Sequence, residues 1–254
     1  MRIGDQRYRL KGFYGSNFAL NEASHERSVL AVMRRWLPSR SGAFLDVGVN
    51  IGQTLHKLLS IDRAREYYGF EPLISCCDDV VRFAELNGLN NIHVLPIGLS
   101  NENIIAPFYS HDLFDSMASL IPDGHEHKTL VQLRRGDEVI RELNINKVAA
   151  IKVDVEGAEW QVFDGLRDTL KRDKPLLLFE VLPNFVGQEK TRIYREQARA
   201  NAERLDKLVS VLSDCGYQIR SLHPNGDEEP IDRPNLEDVS AYVSNDFTAY
   251  PLIQ

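Results

Sequence analysis

Cysteine is scarce in this chain of 254 residues, with three in all, two of them the neighbours Cys76 and Cys77. Adjacent cysteines rarely bridge each other and Cys215 lies far from both, so the spacing offers no disulfide framework and no zinc-ligand set. Positive charge is also short: 30 Lys and Arg stand against 37 Asp and Glu, a net charge of −7. An extended nucleic-acid surface needs lysine and arginine to displace phosphate counterions, which excludes nucleic acid as the expected partner. The pairs Arg34-Arg35, Arg134-Arg135 and Lys171-Arg172 read as solvated faces. No apolar run approaches the roughly 18 residues of a membrane span, so no membrane span is expected. The opening MRIGDQRYRLKGFYGS lacks the apolar stretch of a leader peptide, which makes a reducing cytoplasm the expected compartment. Internal repeats and low-complexity linkers are missing too. What is present is a 43% hydrophobic composition, enough for one substantial core.

Apolar runs alternate with amphipathic segments along the chain. Residues 21–37 carry Val29, Val32, Met33, Trp36 and Leu37 at helical spacing, and Pro38 stops the run. AFLDV (43–47), EYYGFE (66–71), NIHVLPIG (91–98), KVAAIKVDV (147–155) and LLLFEVLP (176–183) read as strands. QTLHKLLS, residues 75–86, AEWQVFDGLRDTL and residues 190–214 read as helices. IIAPFYS (104–110) fits a strand, and the stretch after it, up to about residue 135, fits loops beside a pocket. GYQIRSL and VSAYVSN close the chain as further strands, with an antiparallel hairpin expected at one edge. The expected class is α/β: a doubly wound, mostly parallel sheet covered by helices on both faces. One domain is expected over residues 1–254, with 1–40 as an N-terminal helical extension and 41–254 as a Rossmann-like core.

Three motifs carry chemistry. FLDVGVNIGQ joins a strand, a tight turn and a helix, the usual opening of a nucleotide pocket. The dinucleotide fingerprint G-x-G-x-x-G is absent, because the glycines are Gly48 and Gly52, and Asp46 precedes them. A carboxylate there repels a pyrophosphate and suits a cationic ligand such as S-adenosylmethionine, which carries a sulfonium and no phosphate. Gly48 would let the ligand lie against bare backbone, Gly52 would bring the helix close to the strand, and Asn50 would cap the helix or contact the methionine portion. The alternative is a turn whose glycines serve sterics alone. GFEP then places Glu71 at the end of the next strand, where an acid accepts hydrogen bonds from ribose hydroxyls; the bland alternative is a charge at a helix N-terminus beside Pro72. IKVDVEGAE sets Asp154 and Glu156 at the end of a central strand, where open α/β sheets bind ligands. Glu159 fits helix-dipole stabilisation, and Lys152 fits pairing with an acid.

Together FLDVGVNIGQ, GFEP, LNGLNNIHVLPIGLS and IKVDVEGAE followed by LLLFEV resemble the FkbM-type family of S-adenosylmethionine-dependent methyltransferases. The resemblance runs in order from about His25-Glu26 to Val181. It implies a class I methyltransferase fold, with a seven-stranded sheet and an antiparallel final strand. It implies that Asp46, Gly48, Asn50 and Gly52 surround the methionine part of the cofactor. Glu71, with Pro72 after it, would hold the ribose, the Ile97-Gly98 turn would lie near the adenine, and Asp154 and Glu156 would line the reaction site. It further implies methyl transfer to a hydroxyl of a sugar, polysaccharide or polyketide-type natural product. Two departures stand out: the family often has alanine where Val49 stands, and its Ser-Ser-Leu element appears as Ala118-Ser119-Leu120.

A hydroxyl acceptor must lose a proton as it takes the methyl group, which makes Asp154 or Glu156 the candidate general base, with S-adenosylhomocysteine as co-product. A divalent cation shared by Asp154 and Glu180, with Asn184 as a third ligand, is the lesser alternative. Two carboxylates are a thin ligand set, and no metal ligands are assigned. His111 with Asp112 and Asp115, and His125 with His127, offer competing bases but fit solvated loops. Two other functions are weighed against methyl transfer: a catalytically inactive module that binds S-adenosylmethionine, and an NAD-dependent oxidoreductase, which Asp46 and the missing third glycine oppose. A small-molecule or glycan hydroxyl compound is the expected partner.

Overall fold

The computed structural model describes residues 2–10, 27–110, 119–120, 127–181, 192–235 and 246–252. A short hairpin, β1 (Arg2–Ile3) and β2 (Gln6–Arg7), precedes helix α1 (Arg27–Trp36). Two strand–helix units follow, β3 (Ala43–Val47) with α2 (Gln53–Leu59), and β4 (Tyr67–Phe70) with α3 (Ile74–Leu86), and then β5 (Ile92–Leu95). A side sheet, β6 (Gly98–Ser100), β7 (Ile104–Ser110) and β8 (His127–Arg135), comes next and leads into α4 (Gly136–Glu142). The chain then returns to the main sheet with β9 (Val148–Val153), helices α5 (Glu159–Gly165) and α6 (Arg167–Asp173), and β10 (Leu176–Glu180). Helix α7 (Arg192–Asp214) leads to β11 (Tyr217–Leu222), β12 (Glu228–Pro230) and β13 (Asp246–Pro251).

The main sheet runs β12-β11-β13-β10-β9-β3-β4-β5. From β10 to β5 all neighbours are parallel, whereas β13 lies antiparallel to both β10 and β11. Among the described residues the sheet has eight strands rather than the expected seven. The additional one is β12, which pairs with β11 over Arg220↔Pro230 to Leu222↔Glu228 and forms the expected antiparallel edge hairpin. Helices cover both faces because the central strands are apolar on both sides. Along β3, Leu45 and Val47 join Ile151, Val153 and Leu177 in one cluster, sealed by Val139, Val162, Leu170 and Leu208 of α4 to α7. Phe44 points the other way, into a cluster with Val29, Leu55 and Val80 of α1 to α3.

Three further boundaries differ from the sequence reading, each for a physical cause. Residues 91–98 do not form one strand: Pro96 offers no N–H to a ladder, so β5 ends at Leu95 and Gly98 begins a strand of the side sheet. The stretch after residue 110, read as loops up to about 135, contains β8, which pairs antiparallel with the expected strand β7 in register from Ile104↔Leu133 to Ser110↔His127. The single helix expected after IKVDVEG is two, α5 and α6. They part at Leu166, just after Gly165, where an added Cβ would overlap the Ser100 carbonyl oxygen. The VSAYVSN segment lies outside the described residues, and the final strand is the DFTAYP run after it.

Candidate active site

The carboxyl ends of β3, β4 and β9 meet at one point, because the turns that leave them are bonded to each other. Gly48 N–H donates to the Phe70 carbonyl at 2.9 Å, and Asp154 N–H donates to the Val47 carbonyl at 2.9 Å. The β3 turn winds through three left-handed residues, Gly48 (φ +88°), Asn50 (φ +46°) and Gly52 (φ +82°). Asparagine tolerates that conformation by bonding locally, and here its Oδ1 accepts the Ile51 N–H at 2.6 Å. Gly48 has a structural job in addition to the one its position suggested. A Cβ on it would overlap the Asp154 carbonyl oxygen, so its bareness lets the β3 and β9 turns touch.

Glu71 ties the second turn to the first. Its Oε2 accepts the Asn50 N–H at 2.9 Å and its Oε1 accepts the Leu73 N–H at 2.9 Å. A carboxylate has about four acceptor positions, so two remain for a ligand. The residue is buried, and burial raises its pKa, helped by the nearby Asp154 carboxylate and opposed by the two N–H donors. Beside it, Pro72 and Gly98 come into contact: a Cβ on Gly98 would stand 3.3 Å from Pro72 Cγ and 2.6 Å from Leu133 Cδ2. Ile97, half-buried, donates its N–H to the Leu95 carbonyl at 2.9 Å and so turns the chain beside this contact. The sequence-derived candidates Asp46, Gly48, Asn50, Glu71 and Asp154 thus gather at the ends of three adjacent strands.

Asp46 lies deeper than its neighbours. It is fully buried, and the Tyr67 hydroxyl donates to its Oδ2 at 2.6 Å. Val49, the family departure, is likewise a core residue rather than a pocket wall. It is 3% exposed, and Gly69 makes room for it, since a Cβ there would come within 2.6 Å of Val49 Cγ2.

On β9, Lys152 is 1% exposed and stands in register with Asp46. Its Nζ donates to Asp154 Oδ2 at 3.1 Å, the pairing with an acid that its place in a strand suggested. Glu156 follows in a left-handed conformation (φ +52°), and its carbonyl accepts the Ser119 hydroxyl at 2.9 Å. Ser119, whose backbone also pairs with Tyr109, thereby fastens the end of β7 to the β9 turn. The bond joins residues 37 apart in sequence, and no motif announces it. Two further acids belong to this group: Glu180, ending β10, which the sequence reading considers only as a metal partner of Asp154, and Asp246, opening β13, which it misses; the two are paired in register. Glu180 did have a signal: like Asp46 and Glu71, it is a lone acid at the end of an apolar run.

Burial lifts the Glu180 carboxyl to about 8, with Asp154 and then Asp246 adding to the effect, Lys152 opposing it and Glu156 adding a little more. Glu159, in the first turn of α5, accepts the Gly157 N–H at 2.8 Å and is 6% exposed. Burial raises its pKa to about 7, against the pull of that N–H. The folded protein therefore keeps a proton on Glu159 that the unfolded chain, titrating near the ordinary 4.5, has lost. This contribution makes stability fall as pH rises from the unfolded value to about 7 and levels off above it, by on the order of 3 kcal/mol. Glu159→Gln keeps an acceptor for Gly157 and removes the titration. Its melting temperature should gain on that of the parent between pH 4.5 and 8; a difference constant across that range would refute the assignment.

His56 is buried edge-on to Phe83 with ring centroids 4.8 Å apart, and burial lowers its pKa, as expected of a core residue. His127 opens β8 and is exposed. His111, Asp112, Asp115, His125 and Asn184 lie outside the described residues. Among the described residues no group of three or more His, Cys, Asp or Glu is placed to hold a metal ion, and no helix is long and apolar enough to cross a membrane.

The model of the methyltransferase FkbM domain matches residues 46–219. The chain belongs to the FkbM methyltransferase family. No curated protein matches it. The chain is similar to the solved methyltransferase FkbM of Methylobacillus flagellatus KT, at 18% identity and a TM-score of 0.49. That match covers 83% of this chain and 44% of the other, so the chain spans less than half the length of that FkbM protein. A "putative caffeoyl-CoA O-methyltransferase" from Staphylococcus aureus is 10% identical, with a TM-score of 0.53 and coverage of 94% and 91%. A SAM-dependent O-methyltransferase from Thermotoga maritima is 10% identical, with a TM-score of 0.47 and coverage of 96% and 72%. The likeness to the staphylococcal structure identifies this FkbM chain's mixed eight-stranded sheet as the class I methyltransferase fold.

Proposed function

We propose that this chain binds S-adenosylmethionine across the ends of β3, β4 and β9 and methylates a hydroxyl group of a sugar, polysaccharide or polyketide-type small molecule, releasing S-adenosylhomocysteine. The observation that carries this reading is Glu71, which spends one acceptor position per oxygen on Asn50 and Leu73 and keeps the rest at the end of β4. The donor set supports the cofactor as well. Asp46, Glu71 and Asp154 stand where a dinucleotide would bring its pyrophosphate, and three carboxylates suit a cation and oppose a phosphate.

In this reading the Glu71 carboxylate accepts the ribose hydroxyls, and the turn at Gly48, Asn50 and Gly52 holds the methionine part. Pro72, Ile97 and Gly98 flank the adenine. Asp46, held by Tyr67, and Asp154, held by Lys152, supply a fixed negative field for the sulfonium. The bound cofactor supplies a methyl group on an electron-poor sulfur, ready for in-line attack. Asp154 and Glu156 line the acceptor side, where they orient the hydroxyl and draw on its proton. Residues 1–40 act as an extension of the core formed by 41–254. The extension is supported by α1, whose Val29, Val32 and Met33 pack with Phe44 and Tyr67, and by the Ser28 hydroxyl, which meets Asp246 Oδ2 at 3.4 Å.

Calorimetric titration of the full chain with S-adenosylmethionine and, separately, with NADH tests the reading. Saturable binding of the first and none of the second is the expected result. NADH binding without S-adenosylmethionine binding would overturn it. The acceptor class is then tested by mass spectrometry of a metabolite extract incubated with methyl-labelled cofactor, where label should appear on hydroxyl oxygens of sugars or polyketides; label on nitrogen alone would refute O-methylation.

A further inference from the structure

At the acceptor end of the site, the acids outnumber their donors. Asp154 and Lys152 reach the Glu180 carboxylate from β9, Glu156 from the turn after β9, and Asp246 from β13, where it is in register with Glu180. Lys152 donates to Asp154, and the Ser28 hydroxyl of α1 donates to Asp246. The carboxylate of Glu180, half-buried, makes no hydrogen bond or ion pair among the described residues.

We propose that Glu180 is the proton store of the site: it carries a proton in the cofactor-free protein at neutral pH and releases it to solvent when a cationic cofactor binds at the strand ends. The carboxylates facing Glu180 cannot all stay ionised with it in a partly buried site, and the proton goes to Glu180, which has neither the lysine of Asp154 nor the hydroxyl of Asp246. A sulfonium nearby does electrostatically what that proton does, so the two compete. Burial and the neighbouring carboxylates lift Glu180 to about 8, which leaves roughly nine tenths of it protonated at pH 7. The carboxylate uncovered by cofactor binding faces the acceptor side just when a proton must be taken up there. Deprotonation is thereby tied to loading. The inference rests on the proposed binding of S-adenosylmethionine.

The test compares S-adenosylmethionine with S-adenosylhomocysteine, which shares the adenosine and amino-acid parts but has a neutral sulfur. The full chain is titrated calorimetrically with each at pH 7, in two buffers of different ionisation enthalpy, to count the protons exchanged. The parent should release at least about half a proton more with S-adenosylmethionine, and Glu180→Gln should lose most of that difference. Equal proton counts for the two ligands in the parent, or an undiminished difference in Glu180→Gln, would overturn the assignment. A second measurement needs no variant. The ratio of the two affinities in the parent should favour S-adenosylmethionine increasingly as pH rises toward about 8, by up to tenfold per unit, and then level off. A ratio independent of pH from 6 to 9 also overturns the proposal. Failure of both ligands to bind sinks the cofactor reading and this inference together, whereas binding without differential proton release sinks this inference alone.

Discussion

Gly48→Ala is expected to be among the most damaging single substitutions in this chain, costing more than about 4 kcal/mol of stability or preventing soluble expression. Two effects add. The residue sits at φ +88°, where a β-carbon is strained by about 1–3 kcal/mol. The added methyl would also overlap the Asp154 carbonyl oxygen, a backbone atom that no side-chain rotation can move aside. Relief requires the β3 and β9 turns to separate, which loosens the Gly48 to Phe70 and Asp154 to Val47 bonds, each worth about 1 kcal/mol. Gly88→Ala is the control, because Gly88 is also left-handed (φ +61°) but an added Cβ there meets nothing within 4 Å. It should lose only about 1 kcal/mol. Urea denaturation separates the two, and a Gly48→Ala protein within about 1 kcal/mol of the parent would mean that the turns do not touch as described.

Strands that are apolar on both faces were legible in the sequence, because central strands of a covered sheet carry no polar face: β3, β4, β9 and β10 lie within AFLDV, EYYGFE, KVAAIKVDV and LLLFEVLP. Their terminal acids were legible too, since a lone carboxylate after an apolar run has little use in a core. What stayed hidden depends on pairing. Residues 127–135 alternate only in their second half and bury little, so β8 exists because β7 lies beside it, and HKTLVQLRR alone gives a weak signal. The edge strand β12 spans three residues, too few for any periodicity. Within the site the sequence placed Gly48 on the ligand side, because a bare backbone near a nucleotide is the common use of such a glycine. What the sequence did not show is its contact with the Asp154 carbonyl, 106 positions downstream and brought close by the β3–β9 register. Glu180 was weighed as half of a metal pair for a related reason. Its lack of a donor is a property of the assembled strand ends, where Lys152 donates to Asp154 and the Ser28 hydroxyl to Asp246.

Glu71→Ala should weaken S-adenosylmethionine binding by at least about a hundredfold, roughly 3 kcal/mol, the largest loss of affinity expected from any one side chain. The acid has two duties that alanine cannot share. It accepts the N–H groups of Asn50 and Leu73, and leaving these partly buried donors unmet costs up to about 1–3 kcal/mol each. It also offers the remaining lone pairs to the ribose. Glutamine does not rescue it, although it is nearly isosteric. A carboxamide has one oxygen, so either the Asn50 or the Leu73 N–H would face an NH2 group, donor against donor. Glu71→Gln should therefore lose nearly as much affinity as Glu71→Ala, whereas a purely steric role would leave Glu71→Gln close to the parent. The ligands separate the ribose role from a simple charge effect. S-adenosylmethionine, S-adenosylhomocysteine and 5′-methylthioadenosine share the ribose, but the last lacks both the sulfonium and the amino-acid tail. If Glu71 holds the ribose, all three should weaken by a similar factor in calorimetric titrations of Glu71→Ala. If the cationic ligand weakens while 5′-methylthioadenosine binds as before, Glu71 acts through its charge, and the ribose contact must be sought elsewhere at the end of β4.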